Sequence, residues 1–253
     1  MASSAVATGA PSPKNRERLI GSGSTCTGPA NVRWEAMANA IIFDLDGTLA
    51  DSTDCVVQSA HTVAAAAGLS PVTDEDVRQR IGEPLGPMLT ALYGASGSTL
   101  EELIVAYSVE YVRLTSTLER AFDGSAALLR ALREQGWKLA IATGKGQNGA
   151  EKATGRMGLS AYFDTIHGIL PGTPGKPHPA VLQRALDALG IGPKDAIMIG
   201  DTTFDMDMAA ALGVDAVAVD WGVHNRDVLM SRTPVFYAEN MAALGDWLRG
   251  RFL

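Results

Sequence analysis

Acidic and hydroxyl side chains recur in this sequence directly after short apolar runs. Asp44, Asp46 and Thr48 follow AIIF in the string DLDGT, Thr143 follows LAIA in IATGK, and Asp201 and Asp205 follow AIMI in IGDTTFD. Lys176, in GKPHP, precedes a stretch of helical pattern beginning near Pro179. Carboxylates gathered in one crevice repel each other, so they must either bind protons or be neutralised by a cation. The available ligands are all oxygens, with no His or Cys beside them, and that donor set suits Mg²⁺ rather than Zn²⁺. Thr143 and Lys176 add donors that complement phosphoryl oxygens, so phosphoryl transfer is the chemistry that fits. With two aspartates paired, Asp44 can attack phosphorus. Asp46 can protonate the leaving oxygen and later deprotonate water.

These residues meet only if the elements before them are neighbouring strands. Ala40–Phe43, Lys138–Ala142, Ala196–Ile199 and Ala216–Val219 are nearly continuously apolar, the mark of parallel strands buried on both faces. Weaker candidates lie at 165–167 and 235–237. Helical spacing over 125–135 and 179–189, each stopped by a glycine, alternates with the strands. The pattern predicts an α/β fold, a doubly wound parallel sheet with helices on both faces, and ligands in such sheets bind at the carboxyl ends of the strands. Singly, each aspartate or threonine could be an ordinary helix cap or turn residue, and Lys176 a solvated lysine. Those explanations leave unexplained why all of them fall at strand ends.

Between residues 53 and 122 only helical pattern appears, at 56–67, 73–80, 87–93 and 100–118. We expect an inserted all-helical cap over 53–122, with the core made from 38–52 and 123–253. Entering and leaving beside the first strand, the cap would overhang the crevice. Residues 1–37 are rich in Ala, Ser, Gly, Thr and Pro and lack apolar periodicity, so they are expected to be a disordered N-terminal extension.

The strings DLDGTLADS, IATGK, GKPHP and GDTTFD, in that order, resemble the four signature motifs of the haloacid dehalogenase superfamily. Their surroundings are similar to its phosphoglycolate-phosphatase-like branch. The resemblance spans about Ala38 to Leu248. It implies a Rossmann-like core with a helical cap inserted after the first motif. It also implies that Asp44 is nucleophile and metal ligand, that Asp46 is acid/base and offers its backbone carbonyl to the metal, and that Asp201 is a metal ligand. Thr143, Gly144 and Lys176 would hold phosphate, while Asp205 would lie in the metal's outer sphere or hold Lys176. Within the superfamily, an Asp two residues past the nucleophile suits phosphate-ester hydrolysis rather than dehalogenation. The implied activity is a Mg²⁺-dependent phosphatase acting on phosphoglycolate, a sugar phosphate or a similar small metabolite. A sugar phosphomutase is the alternative enzyme, and a noncatalytic binding protein the alternative class. In the cap, the loop RIGEPL resembles one that faces the site in this branch, so Arg80 or Glu83 would meet the non-phosphate part of the substrate. Tyr107 and Tyr111 are expected in the cap core, Arg113 and Arg120 on helix surfaces, and His224 in a structural role.

Bulk properties agree with this picture. The 253 residues are 46% hydrophobic and 19% charged, a globular balance, and the net charge of −7 with scattered Lys and Arg argues against nucleic-acid or anionic-membrane partners. The two cysteines, Cys26 and Cys55, form no C-x-x-C pair or Cys/His cluster, which suits a reducing compartment. The expectation is a cytoplasmic monomer or homodimer whose partner is a small phosphorylated metabolite.

Overall fold

The structure, a computed structural model, describes residues 40–250. The expected N-terminal extension and Cys26 therefore lie outside the described residues. The chain runs through strand β1 (Ala40–Phe43) and a two-residue strand β2 (Ala50–Asp51) into four helices, α1 (Thr53–Ala66), α2 (Asp74–Arg78), α3 (Leu85–Tyr93) and α4 (Gly97–Leu118), and returns through β3 (Arg120–Ala121). Alternation then begins with α5 (Ser125–Glu134), β4 (Lys138–Gly146), α6 (Gln147–Arg156), β5 (Thr165–Ile169), α7 (Ala180–Leu189) and β6 (Ala196–Gly200). It continues with α8 (Thr203–Leu212), β7 (Asp215–Val219), α9 (Arg226–Met230), β8 (Phe236–Ala238) and α10 (Met241–Arg249).

Six strands form one sheet in the order β5-β4-β1-β6-β7-β8, and every pairing is parallel. Alternation of side chains across β1 divides its residues between two cores. Ile41 and Phe43 pack with leucines of α5 and alanines of α6, whereas Ala40 and Ile42 pack with α7 and α8 residues such as Leu182 and Met208. All four β1 residues are completely buried, as expected of a central strand covered on both faces. Among the described residues, no helix is long and apolar enough to cross a membrane.

Register decides where the chemistry falls. Phe43 is paired with Ile141 on one side and Ile199 on the other, so β1 ends level with the ends of the apolar runs in β4 and β6. Asp44, Thr143 and Asp201 are thus delivered to the same edge of the sheet. The β4 pairing shifts beyond Ala142, and the strand continues to Gly146 rather than stopping where its apolar run stops.

The four helices between β2 and β3 have their own core, in which Cys55, Val56, Met88, Leu89, Leu103 and Tyr107 are buried. Their entry and exit chains are zipped together by the antiparallel pairing Ala50↔Ala121 and Asp51↔Arg120, reinforced by a 2.5 Å ion pair between Arg120 and Asp51. Arg120 therefore sits on a strand, not on the helix surface expected for it.

Because Ile141 is fully buried on β4, a strand paired on both sides, Ile141→Ala should cost about 2–5 kcal/mol, read as a loss in the free energy of chemical denaturation.

Candidate active site

The loop after β1 turns sharply to present two carboxylates. Gly47 adopts φ of 82°, and the Gly47 amide donates to the Ala50 carbonyl at 2.8 Å, closing the turn. A side chain at Gly47 or Gly222 would run into the Asp201 carboxylate, and one at Gly200 into that of Asp205. These three glycines thus leave room for two buried acids.

Each aspartate is held differently. Asp201 accepts from the Thr48 hydroxyl at 2.9 Å and from the Val223 amide at 2.9 Å. Asp205 belongs to the capping box of α8, where its Oδ2 accepts from the Thr202 amide at 3.1 Å and the Thr202 hydroxyl at 2.7 Å. That leaves Asp205 Oδ1 to accept from Lys176 at 2.5 Å, while the same ammonium donates to Asp44 Oδ1 at 2.6 Å. The Lys176 side chain has no exposed surface. Asp44, Asp201 and Asp205 each place an oxygen within 4.8 Å of the others.

Electrostatics follow from this crowding. Burial pushes the Asp44 carboxyl up to about 7, against the pull of Lys176 and with Asp205 and Asp46 adding to the rise. Burial first, then Asp44 and Asp205, push Asp201 well above the usual carboxylate range. Burial alone would lower the Lys176 ammonium, but Asp205 and Asp44 outweigh it and push its pKa up. One cation thus faces three buried carboxylates. The surplus negative charge and the all-oxygen donors fit a hard divalent cation.

Asp46 stands apart from this cluster. Its Oδ1 accepts from the Ser52 hydroxyl at 2.5 Å and its Oδ2 pairs with Lys145 Nζ at 3.1 Å. Lys145 also donates to the Tyr111 hydroxyl of α4 at 2.9 Å and lies over that ring, 4.2 Å from its centroid. Tyr111 in turn donates to Glu119 at 2.7 Å. Burial, with Asp46 and Glu119 nearby, raises the phenol well above its ordinary value and keeps it neutral. The sequence reasoning did not single out Lys145, although it follows Thr143 and Gly144 in the same motif. Tyr111 is buried as expected, but its hydroxyl reaches across to the sheet.

A cavity of about 800 Å³ opens over these groups, with Asp44, Asp46, Thr143, Gly144 and Lys145 on one side and α1, α3 and α4 residues on the other. The helices come down on the sheet at glycines. A Cβ on Gly144 would stand 2.5 Å from the Gly82 carbonyl oxygen, and one on Gly175 would strike Pro84. The loop RIGEPL therefore does reach the cavity, through Gly82, Glu83, Pro84 and Leu85. Arg80 does not line it. Its guanidinium donates to Glu83 at 3.1 Å and lines a second, smaller hollow with Asp76 and Gln79, because the turn at Gly82 carries the backbone inward and leaves Arg80 outside. His224 accepts from the Thr203 amide at 3.0 Å through Nδ1 and packs against Phe204. That geometry leaves it a structural role.

Removing the bridging ammonium isolates two buried carboxylates. Lys176→Met should lower stability by roughly 3–5 kcal/mol at pH 8. Without Lys176 to lower it, the Asp44 pKa rises above about 7, so the loss should shrink as pH falls toward about 7 and level off below, where Asp44 is protonated with or without the lysine. Denaturant titrations at pH 8 and pH 5.5 check both the size and the sign.

Comparison with known proteins agrees with this geometry. The model of the haloacid dehalogenase-like hydrolase family matches residues 41–219. A protein of Mycobacterium tuberculosis named tyrosine-protein kinase PtkA is 35% identical over 211 residues, covering 82% of this chain and 72% of the relative. The phosphoglycolate phosphatase of Rhodospirillum rubrum is 29% identical over 224 residues, covering 84% and 91%. The crystal structure of a predicted phosphatase from Clostridium acetobutylicum superposes with a TM-score of 0.78 at 25% identity, covering 85% of this chain and all of that one. A sheet that gathers these aspartates at one edge, together with a family match over most of the chain, identifies the protein as a member of the haloacid dehalogenase-like hydrolase family.

Proposed function

We propose that this phosphatase hydrolyses small organic phosphomonoesters in two steps through an aspartyl-phosphate on Asp44, with Mg²⁺ as cofactor. Phosphoglycolate and sugar phosphates are the first substrates to try, given the motif resemblance and the R. rubrum relative. A small metabolite also suits a chain of net charge −7 better than a nucleic acid does.

The observation that carries the proposal is the separation of two adjacent carboxylates into different environments. Asp44 is 2% exposed and bonded to Lys176, yet lines the cavity; Asp46 beside it is held by Ser52 and Lys145. Two acids in distinct surroundings can take two roles. Asp44 Oδ attacks phosphorus, the bond to the ester oxygen breaks, and Asp46 gives that oxygen a proton. In the second half, Asp46 takes a proton from water, the water oxygen attacks phosphorus, and inorganic phosphate leaves Asp44 free again. The net reaction is ester plus water giving alcohol plus phosphate. Thr143, 1% exposed, and Gly144 line the cavity and would hold the phosphoryl oxygens, and Lys176 orients Asp44 and favours its ionised form. Asp44, Asp201 and the Asp46 backbone carbonyl would hold Mg²⁺, with Asp205 behind them fixing Lys176. When bound, the ion neutralises charge on the transferring phosphoryl group. We further propose that the helices 53–118 act as a cap, closing over bound substrate about the β2–β3 pair.

Phosphate release from a panel of phosphorylated metabolites tests this directly. Wild type should turn over at least one ester with Mg²⁺ and none with EDTA, and Asp44→Asn should lose several orders of magnitude in kcat. Equal turnover by Asp44→Asn would exclude the covalent route. A second expectation concerns the metal. Stabilisation by Mg²⁺, read as a rise in Tm, should weaken as pH falls through about 7, because a proton on Asp44 competes with the ion.

A further inference from the structure

The wall opposite Asp44 and Asp46 is built from hydrocarbon. Val56, Leu85, Met88, Ile104, Tyr107 and Val112 line it, and Tyr107 stacks on Tyr111 with ring centroids 6.0 Å apart. Burial first, with Asp46 next, raises the Tyr107 phenol well above its usual value, so this platform is uncharged. Three polar side chains of this wall are already engaged. Ser108 donates to the Ile104 carbonyl at 2.7 Å, Glu83 pairs with Arg80 at 3.1 Å, and the Tyr111 hydroxyl is held between Lys145 and Glu119.

No cation on the helical side lines the cavity among the described residues. The two that do line it, Lys145 and Lys152, come from the sheet side. Lys145 is paired with Asp46, and Lys152 is exposed on α6. An anionic leaving group lying against the helical wall, whether the carboxylate of glycolate or a second phosphate, would face apolar side chains and the already paired Glu83, while the remaining cavity-lining cation, Lys152, is solvent-exposed on α6. Desolvating a charge there without a partner costs several kcal/mol. An uncharged apolar group of the same size gains from burial instead, at roughly 25 cal/mol per Å². At about 800 Å³ the cavity is also far larger than a two-carbon acid requires.

From this we propose that the enzyme selects phosphomonoesters whose leaving group is uncharged and predominantly apolar or aromatic, and discriminates against phosphoglycolate, pyrophosphate and bisphosphates. The proposal rests on the phosphatase reading above and, on the chemistry of the cavity wall, replaces the phosphoglycolate that the motif resemblance suggested with an uncharged class of ester. It also weighs against a sugar phosphomutase, which must hold a second phosphoryl group on the far side of the site.

The test compares kcat/KM for phenethyl phosphate and isoamyl phosphate with that for phosphoglycolate and pyrophosphate, in Mg²⁺. The first pair are ordinary alkyl esters, so leaving-group acidity does not favour them. The apolar esters should exceed the anionic substrates by at least tenfold, about 1.4 kcal/mol. Ile104→Lys and Leu85→Lys, at two partly exposed wall positions, should each shift the ratio back toward phosphoglycolate by a comparable factor, both folded as judged by circular dichroism. Preference for phosphoglycolate or pyrophosphate in wild type, or ratios unmoved by both lysines, overturns the proposal while leaving the hydrolytic mechanism intact. Calorimetry with nonhydrolysable phosphonates separates the two failures. If no ester is hydrolysed but phenethylphosphonate binds at least tenfold tighter than phosphonoacetate, the cavity proposal stands and the phosphatase mechanism falls. Equal or inverted affinities, or no binding of either, overturn the cavity proposal.

Discussion

Lys176 lies wholly buried between Asp44 and Asp205, and most of the site is arranged around the need to keep that ammonium there. A lone charge in this position would be intolerable; so would the three carboxylates without it. The lysine's two bonds orient Asp44 toward the cavity. The bond to Asp205, whose other oxygen completes the capping box of α8, also ties the loop after β5 to the loop after β6. Asp201, bonded to the Thr48 hydroxyl, links the same cluster to the turn after β1. Charge compensation and chain architecture are the same set of contacts.

Two parts with different mechanical character meet at the cavity. The sheet side is set by parallel pairing and a continuous core, so its strand ends hold Asp44, Thr143 and Asp201 in fixed relation. The helical side has a separate core and connects through two-residue strands. Its contacts with the sheet side include Gly82 against Gly144, Phe204 and Thr202, Pro84 against Gly175, Val223 against the helical core, and the Tyr111–Lys145 bond. Lys145 thus touches Asp46 and the helical wall at once. Under the proposed mechanism, a side chain in that position would couple the placement of the helices to the carboxylate assigned the proton transfers.

Much of this was legible in the sequence because the residues carry the pattern locally. The four motifs stood out because unlike residue types followed apolar runs, and parallel register then aligned the ends of those runs in β1, β4 and β6. Helix α6 was hidden, since QNGAEKATGR has few apolar residues and is amphipathic only through its alanines. The β2–β3 pair is too short to show periodicity. Lys145 escaped notice because its aromatic partner lies 34 residues away. Arg80 was misplaced for a related reason: a loop can bring its backbone to a site while one of its side chains points elsewhere, and only the turn at Gly82 decides which. The T-x-x-D spacing from Thr202 to Asp205 did carry a usable signal, that of a capping box, which places Asp205 at the start of α8.

The central claim is that phosphate passes through a covalent bond to Asp44. Rapid acid quenching of the enzyme during turnover of its best substrate, followed by mass spectrometry of the peptide containing DLDGT, tests it most directly. The account predicts a single phosphoryl group on that peptide, assigned to Asp44 by fragmentation and absent when substrate is omitted. Turnover with an unmodified peptide, or with the phosphoryl group on any other residue, would contradict it.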